Sequence, residues 1–113
     1  MTTTKKIGKI QSIFFGFGGY QDAMLGLSIS LGSESGWAVG DFRGGWGPQI
    51  TCDKYCKWTE ADRSKLYADT IRFIGELLTQ AKKEKIDQLK GVPVEVEFDG
   101  MTLKSWRILT EAI

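Results

Sequence analysis

Eleven of the fourteen glycines lie at or before Gly47. Glycine loses more conformational freedom on folding than any other residue, and inside a helix it costs about 1 kcal/mol relative to alanine. The first part of the chain therefore reads as strands and glycine-rich loops. The part beyond Gly47 reads as a long helix followed by a hairpin. No internal repeat or low-complexity linker separates the two, and 113 residues suit one domain, 1–113, with a modest core. The expected fold is α+β: an antiparallel sheet, one long helix packed on one face, and a C-terminal β-hairpin.

Residues 7–17 read as a strand with Ile7, Ile13, Phe15 and Phe17 in phase. Residues 24–31 alternate, with Leu25, Leu27, Ile29 and Leu31 on one side and Gly26, Ser28 and Ser30 on the other, the pattern of a half-buried strand. Gly32 to Gly36 is a turn, and Trp37 to Phe42 forms the next strand. Arg43 to Pro48, with three glycines and a proline, is expected to be a loop.

Thr59, followed three residues later by Asp62, signals a helix start. Tyr67, Ile71, Ile74, Leu78 and Ala81, widened by Leu66, Phe73 and Leu77, form an apolar stripe at helical spacing. Lys82, Lys83 and Lys85 are expected in its last turn, where positive charge suits the helix dipole. Residues 86–90 add a further helical turn, ended by Gly91 with Pro93 beyond.

Asp99-Gly100 is a type I′ hairpin signal between Val92–Phe98 and Met101–Thr110. With those two residues as the loop, Phe98 opposes Met101, Val96 opposes Leu103, Val94 opposes Ser105 and Val92 opposes Arg107. This places Arg107 on the apolar face, where an unpaired guanidinium is costly. Three readings are open: a bulge near Ser105 that turns Trp106 and Ile108 inward and Arg107 out, a structural ion pair, or an anionic ligand held by Arg107.

The formal net charge of +1 is unlike a nucleic-acid coat protein or an acidic DNA mimic, so no nucleic-acid polymer is expected as partner. No window approaches a membrane span, and no secretory signal is expected from the polar, basic start. With no histidine, the commonest acid–base and metal residue is missing. Asp22, Asp41 and Glu111 form no pair at a telling spacing, so no catalytic residues and no enzyme activity are expected. Cys52 and Cys56 make only half of a zinc site and read as reduced thiols; neither a metal nor a cofactor is expected.

Residues 16–22, Gly-Phe-Gly-Gly-Tyr-Gln-Asp, interleave glycines with aromatic rings after an apolar run. Glycine lets backbone N–H groups approach a ligand or form an anion nest, and rings give stacking faces. Such a segment also suits a plain bulge or tight turn. Four tryptophans add core fillers or interface anchors, with Trp46 in the loop as the candidate anchor.

Several blocks resemble short phage- and prophage-encoded proteins: residues 6–10, 15–24, 56–60 with Asp62 and Arg63, 92–96 with 98–100, and 102–111. Spanning nearly the whole chain, they resemble the first family of Thoeris anti-defence proteins. That resemblance implies a sponge that binds cyclic ADP-ribose isomers or cyclic oligonucleotide immune signals without cleaving them. It also implies a homo-oligomer with pockets at subunit boundaries, acting in the cytoplasm of an infected bacterium. On side-chain chemistry the ligand-binding candidates are Phe17 and Trp106 for stacking and Gly18 and Gly19 for phosphate. Arg43 and Arg107 would take phosphate or base edges, and Asp22 ribose hydroxyls. The competing expectations are an anti-CRISPR-like inhibitor of a bacterial defence complex, anchored by Trp46 and Tyr20, and a hydrolase of the same signals.

Overall fold

In the computed structural model, which describes residues 3–113, the chain forms five strands and one long helix. The strands are β1 (Thr3–Gly18), β2 (Met24–Gly32), β3 (Ala38–Trp46), β4 (Pro93–Asp99) and β5 (Thr102–Ile108); the helix is α1 (Glu60–Ala81). All pairings are antiparallel, in the order β3-β2-β1-β4-β5, and β4 and β5 form the C-terminal hairpin. The expected α+β fold is therefore the observed one.

Sixteen residues long, β1 serves two partners. Thr3 to Lys9 pair with β4, and Lys9 to Gly18 pair with β2. A register shift between Ile10 and Ser12 separates the two halves. An extra residue flips the side-chain phase. Before it, Gly8 and Ile10 face the helix; after it, Ile13, Phe15 and Phe17 do. Ile7 is consequently out of phase with the later residues and 66% exposed on the outer face, contrary to the single alternation read along 7–17.

The kinked strand lets the sheet curl around α1. Strands β3 and β5 are at opposite edges in pairing order, yet Trp106 Nε1 in β5 donates to the Asp41 carboxylate in β3 over 2.8 Å. Phe73 of α1 meets Trp106 edge-on, and the Arg43 guanidinium lies 4.0 Å from the Phe73 ring centre. Ile10, Leu27, Leu31, Val94, Val96, Leu89 and Ile108 fill the space inside the curl.

A second bend follows from glycine. Gly16, Gly26 and Gly44 lie side by side across β1, β2 and β3. A Cβ on Gly26 would collide with the Arg43 carbonyl, and one on Gly44 with the Leu25 carbonyl. Beyond this row the hairpin tip turns back over the outer face. Gly18 is paired with Met24, yet a Cβ at Gly18 would stand 3.1 Å from Ser28 Oγ and 3.5 Å from the Phe42 ring. On a straight strand the four residues from Met24 to Ser28 span about 13 Å. The glycines thus crease the sheet rather than interrupt it, and β3 runs on to Trp46 where a loop from Arg43 was expected.

Helix α1 begins as read: Thr59 and Asp62 form a reciprocal capping box, with Oγ1 accepting from Asp62 N at 3.1 Å and Asp62 accepting from Thr59 N at 2.9 Å. It ends at Ala81, with Lys82 left-handed at φ 58°. Lys82, Lys83 and Lys85 therefore lie past the last turn instead of within it. The buried line is Arg63, Thr70, Leu77 and Ala81; Ile71 is 64% exposed, because the stripe faces the sheet about one position away from where the apolar residues centre it.

The hairpin loop is Gly100-Met101, with Asp99 paired to Thr102 and Phe98 to Leu103. Gly100 at φ 64° occupies the first central position, where a type II′ turn requires glycine. The turn is thus displaced by one residue from the Asp99-Gly100 reading. A bulge at Lys104 follows, after which Val96 opposes Trp106 and Glu95 opposes Arg107. Trp106 and Ile108 turn inward and Arg107 outward, so the bulge reading describes the strand.

Candidate functional site

The structure does not gather the seven sequence-derived candidates into one place. Arg43 and Trp106 do come together, through Asp41: Arg43 Nε lies 3.4 Å from the carboxylate that accepts from the Trp106 indole. They do so on the helix side of the sheet, where Phe73 covers both, so this cluster is a seam between sheet edges. Arg107 stands on the outer face between two carboxylates, with Nη1 3.0 Å from Glu111 and Nε 3.3 Å from Glu95. Hydrogen bonding to Glu111 raises the Arg107 pKa, and the same contact holds the Glu111 carboxyl below its ordinary range. The guanidinium is thus already paired, on the outer face and not on the apolar one.

Phe17 belongs to the helix-side row with Leu25 and Gly45. Gly18 and Gly19 lie at the folded-back tip. Gly19 at φ 66°, Gln21 at φ 51° and Asp22 at φ 55° give three positive-φ residues within four. Two of them are not glycine, which is costly backbone that packing around the turn must sustain. The Asp22 N–H bonds back to the Gly19 carbonyl at 3.4 Å and the Ala23 N–H to Tyr20 at 3.0 Å.

The turn is held by an aromatic ladder. Tyr20 meets Trp46 edge-on at 6.4 Å, Trp46 stacks on Trp58 at 6.5 Å, and the Arg63 guanidinium lies 4.7 Å from the Trp58 ring. Arg63 also donates to the Gly47 and Ile50 carbonyls at 2.7 and 2.8 Å and grips Glu60 at 2.6 Å, which raises its pKa. The Tyr67 hydroxyl donates to the Trp46 carbonyl. Within the loop so fixed, Cys52 and Cys56 are paired as a disulfide, with Cα atoms 5.6 Å apart. The expected reduced thiols are therefore a bonded pair, brought together by the loop's own turn.

A further concavity contains none of the seven candidates. It is a cleft of about 740 Å³ on the outer face, where β1 kinks and its two partners diverge. Its floor is β1 from Ile7 to Gln11; Gly32 to Ser35 form one wall and Lys90, Gly91 and Pro93 the other. Lys9 and Lys90 line it, and neither makes an ion pair among the described residues. Glu34 lines one wall, so the three charged side chains leave a net charge of +1. The volume falls within the range of small-molecule sites, and an apolar floor with this excess of cations suits an anion carrying an apolar or ring-shaped body. The signal that would have found it is the phase change at Gln11, where Lys9 and Ile13 cease to fit a single alternation.

A smaller cleft of about 340 Å³ lies farther along the same outer face, in the crease. Ser12, Ser28, Ser30, Gly40, Phe14 and Phe42 line it, with Gly19 at its rim. Between the two clefts the Gln11 side chain lies over Gly32. No helix among the described residues is long and apolar enough to cross a membrane, and they hold no cluster of three or more potential metal ligands. No family model, no curated protein and no solved structure matches the chain.

Proposed function

We propose that this protein binds and holds a small, phosphate-bearing signal molecule without transforming it, acting as a phage anti-defence sponge for cyclic ADP-ribose isomers or cyclic oligonucleotides in the cytoplasm of an infected bacterium. The observation that carries the reading is the cleft at the β1 kink. It is large enough for a nucleotide, and Lys9 and Lys90 line it without an ion pair among the described residues, outnumbering the one lining carboxylate, Glu34. Phosphate oxygens are the natural partners of such cations. The phage-protein resemblance of the sequence blocks supplies the ligand class and the homo-oligomer. The lack of histidine supports holding over hydrolysis. Trp46, the anchor that a flat protein-binding surface would use, is engaged by Tyr20, Trp58 and Tyr67, which supports ranking sequestration ahead of a protein-binding inhibitor.

The test is incubation with cyclic ADP-ribose isomers and cyclic di- and trinucleotides, then heat release and chromatography. The expected result is depletion of one ligand from solution and its intact recovery on heating, with depletion weakened about tenfold in Lys9→Gln/Lys90→Gln. Recovery of a cleaved product makes the protein a hydrolase. Failure to deplete any of them, together with no thermal shift, refutes the proposal.

A further inference from the structure

Resting on that reading, we infer that the crease cleft is a slot for a neutral heteroaromatic ring, a nucleobase, next to the lysine-lined cleft that takes the phosphate. Two phenyl groups and three serine hydroxyls surround it. Phe14 is 52% exposed and contacts no other aromatic ring or cation among the described residues; Phe42 forms the opposite side. The hydroxyls of Ser12, Ser28 and Ser30 are not engaged by any other side chain described, so they are available to the donor and acceptor edge of a base.

The slot is also uncharged. Asp41 borders it, but its carboxylate lies on the far side of the sheet with Trp106 and Arg43. A lining of flat apolar faces and neutral hydroxyls does not compensate a phosphate, but it matches a base, which has a π-face for stacking and polar atoms at its rim. Its position fits the same ligand. Ser12, in the slot, is adjacent to Gln11, in the lysine cleft, so the two meet along β1 on one face. The glycine crease is what makes the slot: it folds the tip, with Gly18 and Gly19, over the serine-bearing strands.

The experiment uses the full chain and three probes, adenosine, ribose 5-phosphate and AMP, measured by calorimetry and by ultraviolet hypochromism of the base. AMP is expected to bind about tenfold or more tighter than ribose 5-phosphate, with hypochromism, a difference of the size stacking contributes. Phe14→Leu removes that advantage and the hypochromism, whereas Phe14→Tyr, which keeps the ring and serves as the folding control, retains both. Lys9→Gln/Lys90→Gln weakens the two phosphate compounds and leaves adenosine unchanged. Equal affinities for AMP and ribose 5-phosphate, or an advantage indifferent to Phe14→Leu, overturn the slot and leave the lysine cleft standing. Adenosine binding that depends on Phe14, with ribose 5-phosphate inert, upholds the slot and overturns the phosphate site. Binding of none of the three overturns both.

Discussion

Replacing Trp106 with phenylalanine tests the curl of the sheet directly. The substitution keeps an aromatic ring against Phe73 and deletes the indole N–H that donates 2.8 Å to the Asp41 carboxylate. A hydrogen bond to a charged acceptor contributes about 1.5–3 kcal/mol, so the expected loss is about 2 kcal/mol. That is a sizeable share of the roughly 5–15 kcal/mol that holds a domain of this size, and it lowers the melting temperature by about 8 °C. Asp41→Asn keeps an acceptor oxygen and costs less, about 1 kcal/mol. Urea unfolding followed by far-ultraviolet circular dichroism gives the four corners of a double-mutant cycle, with an expected coupling of about 1–2 kcal/mol. Because β3 and β5 are separated by three strands in pairing order, this coupling exists only if the sheet edges meet. Strictly additive costs for Trp106→Phe and Asp41→Asn would refute the seam, and the curl with it.

Gly26→Ala and Gly44→Ala each place a methyl group against a neighbouring carbonyl, and each is expected to cost about 3 kcal/mol or prevent folding, read by the urea midpoint; Gly36→Ala, with nothing near its Cβ position, is the strain-only comparison at φ 106°. The Cys52–Cys56 bond closes a loop of about five residues, for which chain entropy gives about 2 kcal/mol; reduction or Cys52→Ser should lower stability by that amount and change the fluorescence of the stacked Trp46 and Trp58. Glu111 is held below its ordinary pKa by Arg107, so its stabilising contribution is complete above the ordinary glutamate range and is lost as pH falls through the lowered value. Melting curves of the wild type and Glu111→Gln should therefore differ at neutral pH and converge in acid.

Much of the fold was legible because it rests on local rules. The alternation from Leu25 to Leu31 sets the β2 face, Thr59 and Asp62 set the helix start, and the Gly100 turn closes a hairpin. The errors in strand facing share one cause. It is an extra residue, at Gln11 and at Lys104, because in a strand one residue reverses which side every later side chain faces. Arg107 shows the consequence: it falls on the apolar face in the register read from Asp99-Gly100, and on the outer face beside Glu95 once the bulge is present.

The candidate site was legible only in part. Gly19 lines a concavity and Gly18 lies against Ser28 and Phe42 beside it, but its walls are Phe14 and Phe42 rather than Phe17 and Trp106. Lys9 and Lys90 are separated by most of the chain and carry no motif between them. The sequence alone determined the element types, the capped helix and the crowding of glycine into the first part, because propensity, capping and steric freedom belong to neighbouring residues. Only the tertiary structure decided which residues share a surface. The kink in β1, the crease at Gly16, Gly26 and Gly44 and the meeting of Trp106 with Asp41 depend on strand pairings between distant segments, and it is those pairings that place the clefts.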